Sequence, residues 1–291
     1  MVLGMAEVKN VAIIGFGVMG SGIAQVFAQA GFIVYGMDID EKALKQGLET
    51  IINGPFGLKR AIRKGLITEQ QMQEILSRIE VTHDLTEAVK DADIIIEAVV
   101  EDLEIKKKVF TNIDAIAPPH AILASNTSSL SITALAAVTK RPEKVIGMHF
   151  FNPPQIMKLV EIVQGLQTSN ETIELAKQII IKIGKKPIVC KDIPGFIANR
   201  IGILAILEGI RLYEQSAASA EDIDIAMKLG YNWPMGPLEL ADFIGLDVLL
   251  KIAEALYKET GNPSYMPPTI LKRMVEAGFL GRKTRKGFYK Y

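Results

Sequence analysis

The segment Val11-Ala12-Ile13-Ile14-Gly15-Phe16-Gly17-Val18-Met19-Gly20 constrains the fold more than any other: a short apolar run passes directly into G-x-G-x-x-G at the mouth of a helical stretch. In that context the first glycine permits a tight turn, the second lets the backbone approach a pyrophosphate, and the third allows close helix-to-strand packing. The helix N-terminus then offers N–H groups to an anion. A second strand-like run, Ile33-Val34-Tyr35, ends at Asp38, 18 positions after Gly20, where a carboxylate accepts hydrogen bonds from an adenosine ribose. A carboxylate there repels a 2′-phosphate, and no arginine stands in Gly36-Met37-Asp38-Ile39-Asp40, so NAD is favoured over NADP. Gly15, Gly17, Val18, Met19, Gly20 and Asp38 are therefore the candidate cofactor contacts. The bland alternative is that the glycines only make turns.

Residues 10 to 37 carry no charge, enough length to pass a crude transmembrane filter. Glycines at 15, 17, 20, 22, 31 and 36, with Gln25 and Gln29 inside the run, argue instead for a buried strand, helix and strand. The chain as a whole is 49% hydrophobic and 23% charged, the balance of a globular protein with a packed core. Its 33 basic and 33 acidic residues cancel, so no global field draws it to nucleic acid or anionic lipid. An anionic ligand has to be held by a local site. Cys190 is the one cysteine, which excludes an internal disulfide and fits a reducing, cytoplasmic setting; following Ile188-Val189 it reads as an inert core thiol. The opening MVLGMAEVKN has neither the basic and apolar regions of a secretory signal nor the arginines of a transit peptide.

Apolar runs at Ile94-Ile95-Ile96, Ile122-Leu123-Ala124, Val145-Ile146-Gly147-Met148 and Leu159-Val160-Glu161-Ile162-Val163 alternate with helical stretches. The expected fold is α/β: a Rossmann-type, doubly wound, mostly parallel sheet with a helical insertion, followed by an all-α C-terminal domain. The insertion spans roughly residues 41 to 78 and breaks at Asn53-Gly54-Pro55-Phe56-Gly57. Its Lys59, Arg60, Arg63 and Lys64 read equally as a phosphate contact or a solvated face. Val81-Thr82-His83-Asp84 reads as loop. From Pro194 the strand signal fades, and residues 196–215, 221–229, 237–257 and 268–277 look helical, the second of them preceded by a capping-box-like Ser219-Ala220-Glu221-Asp222. The domains are placed at 1–191 for dinucleotide binding and 192–291 for the helical part.

Of three histidines, His83 and His120 stand in polar, loop-like surroundings. His149 ends an apolar strand, which places it at the edge of the sheet where ligands bind. Twelve positions on, Glu161 interrupts an apolar run, costly in a buried strand unless the carboxylate is paired. His149 is the natural partner, with Glu161 orienting the imidazole and balancing its cationic form. The spacing alone leaves open an edge histidine and an unrelated glutamate. No His/Cys cluster has metal-ligand spacing, so no metal is expected.

Ser125-Asn126-Thr127-Ser128-Ser129, His149-Phe150-Phe151-Asn152-Pro153, Pro194-Gly195-Phe196-Ile197-Ala198-Asn199-Arg200, Met235-Gly236-Pro237 and the ending Gly281-Arg282-Lys283-Thr284 with Gly287-Phe288-Tyr289 stand in one order along the chain. From Val8 to Tyr291 the chain thereby resembles the L-3-hydroxyacyl-CoA dehydrogenase family, especially short bacterial-type 3-hydroxybutyryl-CoA dehydrogenases. The resemblance implies His149 as catalytic base, Glu161 as its partner, and Ser128 and Asn199 as the polar shell of the reacting oxygen. It further implies Asn152 beside the nicotinamide and in contact with substrate. Glu101, Lys106, Asn126, Ser128 and Lys283 become further cofactor contacts, and Lys64 and Ser128 contact an acyl-CoA substrate. It also implies a homodimer formed through the helical domain. In the implied reaction His149 Nε2 takes the 3-hydroxyl proton as hydride passes to NAD. Gly195 and Gly236 are expected to make turns, with Pro194 and Pro237 setting helix starts. Two departures stand out: the Asn53–Gly57 stretch is longer than usual, with Gly57 where some members carry a CoA-contacting serine, and Arg285 occupies a usual glycine position. The rival readings are a dehydrogenase of a free hydroxy acid or sugar acid, and a non-catalytic NAD-binding protein.

Overall fold

The structure, a computed structural model, describes residues 8–291; the rest of the opening segment, on which the reading of secretory and transit signals bears, lies outside the described residues. The chain divides into two compact units, the first ending at Ile193 and the second running Pro194–Tyr291.

The first unit is built on eight strands: β1 (Asn10–Ile14), β2 (Ile33–Met37), β3 (Ile79–Thr82), β4 (Ile94–Glu97), β5 (Ile122–Ser125), β6 (Val145–Phe150), β7 (Leu159–Gln164) and β8 (Lys186–Lys191). They lie in the order β3-β2-β1-β4-β5-β6-β7-β8. Every neighbouring pair is parallel except β6 with β7. The reversal at β1, with β2 on one side and β4 on the other, is the switch point at which open α/β sheets bind ligands. The central strands read as continuous apolar runs because helices cover both faces; Ile94, Ile95 and Ile96 are all buried. Phe16, in the glycine turn, fills the space that Gly36 and Gly47 leave, where a β-carbon on either would collide with its ring.

Helix α1 (Val18–Gln29) follows the glycine turn. Gly31, at φ 91, supplies the left-handed residue that ends it, as expected. The insertion folds as α2 (Glu41–Asn53), α3 (Leu58–Arg63) and α4 (Glu69–Leu76). Thr68 and Gln71 form a reciprocal capping box at the start of α4. The unit continues through α5 (Leu85–Val89), α6 (Leu103–Ile116), α7 (Ile132–Ala136) and α8 (Asn170–Lys182). Strand β3 corrects the loop reading of Val81-Thr82: with only one neighbour, β2, it is an edge strand too short and too polar to announce itself by alternation.

The second unit contains α9 (Ala198–Glu214), α10 (Ala220–Gly230), α11 (Pro237–Ile244), α12 (Leu246–Thr260) and α13 (Thr269–Glu276). Two expectations need correction. The stretch 237–257 is two helices, broken at Gly245, whose φ of 99 no ordinary helix accommodates. Pro237 is the first residue of α11, but Pro194 starts no helix: Gly195 and Phe196 follow in left-handed conformation, and α9 begins only at Ala198. Ser219 caps α10 by accepting from the Asp222 amide. Buried Asp242 receives the Phe288 and Tyr289 amides, and Asp224 receives the Leu238 and Glu239 amides and the Tyr289 hydroxyl. These two carboxylates fasten the C-terminal segment to α10 and α11. Among the described residues, no helix is long and apolar enough to cross a membrane.

Candidate active site

Strand register collects the site. Met37, Ile14, Glu97, Ser125 and Gly147 pair in turn across β2, β1, β4, β5 and β6 and so form one row near the carboxyl ends of the parallel strands. Asp38, Gly15 and Asn126 come one residue after that row, Ser128 and Glu101 a little further, and His149 two residues after Gly147. The edge that the row defines is where ligands approach a doubly wound sheet.

At its dinucleotide end, Gly15 has φ 95 and packs so closely on Ala98 that a β-carbon would lie 2.6 Å from the Ala98 carbonyl oxygen. Gly17 caps α1 with no side chain, and a β-carbon there meets nothing. The first turn of α1 thus presents its amides without a capping group competing for them. Asp38 accepts from the Phe16 amide at 2.8 Å through one oxygen and from the Asp40 amide at 3.0 Å through the other, which locks the carboxylate against the turn. His83, exposed, has Nδ1 3.1 Å from the Asp38 carbonyl. A bare helix N-terminus beside an open glycine, with a carboxylate held one strand away, fits a dinucleotide and fits NAD in particular.

His149 and Glu161 are direct partners in the antiparallel β6–β7 register, so their side chains share a face. Nδ1 of His149 lies 2.7 Å from Oε2 of Glu161, and both residues are buried. The carboxylate acceptor assigns the proton to Nδ1 and leaves the basic lone pair on Nε2. Phe151 packs its ring 4.5 Å from the imidazole. Asn126 accepts the Phe150 amide at 2.9 Å and donates its own amide to the Glu97 carbonyl, tying the ends of β4, β5 and β6 together. Asn152, in the bend after β6, precedes Pro153 through a cis peptide bond.

Ser128 sits half-buried in a turn fastened by Glu101. One oxygen of Glu101 takes the Thr127 hydroxyl at 2.5 Å, the Ser128 amide at 3.0 Å and, more loosely, the Ser128 and Ser129 hydroxyls. The other lies 3.3 Å from Lys106. Burial raises the Glu101 carboxyl, but Lys106, the Thr127 hydroxyl and the Ser128 amide outweigh it and hold the group below its ordinary value. Lys106 is 1% exposed and makes a 2.6 Å ion pair with Glu97. Glu97 also accepts the Val99 amide at 2.7 Å and the Ser125 hydroxyl at 2.6 Å. Glu97 is not among the residues expected from the sequence, although a signal is present there: a carboxylate closing the run Ile94-Ile95-Ile96 poses the same question as Glu161 inside β7.

The structure brings together Gly15, Gly17, Asp38, Glu101, Lys106, Asn126, Ser128, His149 and Glu161 along this edge of the first unit. Lys64 caps the C-terminus of α3 and is exposed. Beside it a cavity of about 470 Å³ is lined by Asn53, Lys59, Ile62, Arg63 and Glu69, while Arg60 turns away to the Pro55 carbonyl. In the second unit, Asn199 lies in the first turn of α9, and Lys283 is ion-paired to Asp247. Cys190, on β8, is buried; burial first, then Glu161 and Asp192, push its thiol up to about 12.

Two family models match the chain: residues 10–193 match the 3-hydroxyacyl-CoA dehydrogenase NAD binding domain, and residues 195–291 match the 3-hydroxyacyl-CoA dehydrogenase C-terminal domain. A Bacillus subtilis protein named "Probable 3-hydroxybutyryl-CoA dehydrogenase" is 47% identical over 98% of both chains. The 3-hydroxybutyryl-CoA dehydrogenase of Bradyrhizobium diazoefficiens is also 47% identical, over 98% of this chain and 96% of its own. The crystal structure of (S)-3-hydroxybutyryl-CoA dehydrogenase from Ralstonia eutropha superposes with a TM-score of 0.93 at 44% identity, covering 98% of this chain and 99% of that one.

Proposed function

The chain belongs to the 3-hydroxyacyl-CoA dehydrogenase family, and on that premise we propose that it interconverts (S)-3-hydroxybutyryl-CoA and acetoacetyl-CoA through His149 and Glu161. It is an NAD-dependent oxidoreductase of 3-hydroxyacyl-CoA thioesters. The observation that carries the residue assignment is the buried 2.7 Å contact between His149 Nδ1 and Glu161, fixed by strand register.

When bound, NAD supplies the two-electron acceptor for the hydride released at C3 of the substrate. His149 takes the 3-hydroxyl proton at Nε2 as the alcohol is oxidised and returns it during reduction. Glu161 keeps Nδ1 protonated and offsets the charge the ring gains, the role a buried carboxylate plays in other His-carboxylate pairs. Ser128 donates to the reacting oxygen from the turn that Glu101 fastens. Gly15, Gly17, Val18, Met19, Gly20 and Asp38 hold the dinucleotide, with Glu101, Lys106, Asn126 and Asn152 assigned to its nicotinamide half. Lys64, beside the basic cavity of α3, takes the CoA moiety. Asn199 and Lys283 enter on their motifs alone. The 47% identity to proteins named for hydroxybutyryl-CoA favours a four-carbon substrate.

We further infer a cytoplasmic homodimer formed through the helical unit. Support for the dimer comes from Ile225 and Leu229 on α10 and Tyr231 just past its end, apolar or aromatic side chains exposed by 49%, 83% and 75%. The test of function is NADH oxidation with acetoacetyl-CoA set beside free acetoacetate. Turnover of the thioester alone is expected; equal turnover of the free acid transfers the assignment to a CoA-independent dehydrogenase.

A further inference from the structure

Glu97 takes no part in the proton and hydride transfers above, yet it is fully buried and carries the charge on which the surrounding polar groups converge. From the end of β4 it reaches the Ser128 turn by two side-chain routes. Along the first, Glu97 pairs with Lys106 at 2.6 Å, Lys106 lies 3.3 Å from Glu101, and Glu101 receives the Thr127 hydroxyl and the Ser128 amide. Along the second, Glu97 receives the Ser125 hydroxyl at 2.6 Å, and Ser125 Oγ in turn accepts the Thr127 amide at 3.2 Å. The routes leave different oxygens of the one carboxylate and meet at the same turn. Because Glu97 and Ser125 are register partners, the second route is fixed by the sheet itself.

We propose that Glu97 is a positioning residue for the dehydrogenase reaction: through Lys106 and Ser125 it sets the 126–129 turn, and with it the place of Ser128 relative to His149. This rests on the hydroxyacyl-CoA reading given above. A core of this kind does not need an ion pair to fold, since apolar residues of similar volume often replace buried pairs without loss. Here the pair has a geometric consequence instead. Lys106 is shared between two carboxylates at unequal distances, so the stronger hold of Glu97 leaves Glu101 available to the turn. With Glu97 neutral, Lys106 shifts its full charge to Glu101 and draws that carboxylate away from Thr127 and Ser128.

Glu97→Gln keeps the shape and, with its amide oxygen toward Ser125, that hydrogen bond, while removing the charge and the acceptor for Lys106 and the Val99 amide. With acetoacetyl-CoA and NADH, kcat is expected to fall about ten- to hundredfold, the scale of a misplaced reacting group. Glu97→Gln combined with Ser128→Ala is expected to be no slower than Ser128→Ala alone. Amide hydrogen exchange at residues 127–130, measured on the same full-length proteins without substrate, is expected to quicken in Glu97→Gln while the β1 and β4 amides stay protected. Losses that multiply in the double variant, unchanged kcat with only a lowered melting temperature, or unchanged exchange at the turn would each overturn the proposal. Should Glu97→Gln fail to fold, Glu97→Asp keeps the charge but draws it back by one methylene from Lys106 and Ser125; faster exchange at residues 127–130 is expected there too, and unchanged exchange would overturn the proposal. Absence of wild-type turnover with acetoacetyl-CoA would count against the hydroxyacyl-CoA reading itself, and the exchange measurement then separates that failure from a failure of Glu97 to hold the turn.

Discussion

In the proposed reaction the geometry at His149 assigns the working nitrogen: with a carboxylate 2.7 Å from Nδ1, Nε2 is the atom that would exchange the proton. A residue of the second unit shows how backbone conformation bears on an unusual side chain. Arg285, a departure from the glycine that the family resemblance leads one to expect, has φ 56. A side chain in the left-handed region costs roughly 1–2 kcal/mol, against roughly 0.4–1 kcal/mol that a glycine forfeits through its freer unfolded chain. Arg285→Gly is therefore expected to stabilise the protein by about 0.5–1 kcal/mol, read as a higher midpoint in urea. A lower midpoint would mean that the arginine makes a compensating contact. The sequence identified the position as odd but not the reason, because φ at a single turn residue has no pattern to read.

At the scale of elements, legibility followed periodicity and burial. The glycine turn, α1 and the central strands were readable because an uninterrupted apolar run, a G-x-G-x-x-G and a helix-ending glycine agree with one another. Glu161 was readable because a lone carboxylate inside Leu159–Val163 demanded a partner, though only the antiparallel register of β7 shows it directly opposite His149. Glu97 posed the same question at the end of β4 without its answer, because the groups it meets, Lys106 and Ser125, belong to other elements. Edge strand β3 and the break at Gly245 were missed because four polar-mixed residues and one glycine carry little signal against their surroundings. Strand β8 supplies a prediction of its own. Its Cys190 thiol is raised from an ordinary 9.0 to about 12, chiefly by burial. The unfolded chain thus loses the proton first, and the neutral thiol's contribution to stability, complete below pH 9, is lost as pH rises toward 12. The melting temperature of the wild type is expected to fall more steeply between pH 8 and 10.5 than that of Cys190→Ala; parallel slopes would show an unperturbed thiol.

For the whole molecule, one unit carries the dinucleotide turn and the His149–Glu161 pair, and the other is an α-helical body with apolar side chains left exposed on α10. If that face is covered by a second copy, light scattering will give twice the 31.9 kDa chain mass, and Leu229→Glu with Ile225→Glu will return it to one. A wild type that scatters as a single chain contradicts the dimer. The proposed reaction couples hydride transfer to and from NAD with proton exchange at His149. The most direct test is the rate of NADH oxidation by acetoacetyl-CoA in the wild type and in His149→Gln, with NADH binding followed by its fluorescence and NADPH run in parallel. Fast wild-type turnover with NADH and little with NADPH is expected. In His149→Gln the rate is expected to fall about 10²- to 10⁴-fold with NADH affinity retained. Near-normal turnover in His149→Gln would contradict the proposed reaction.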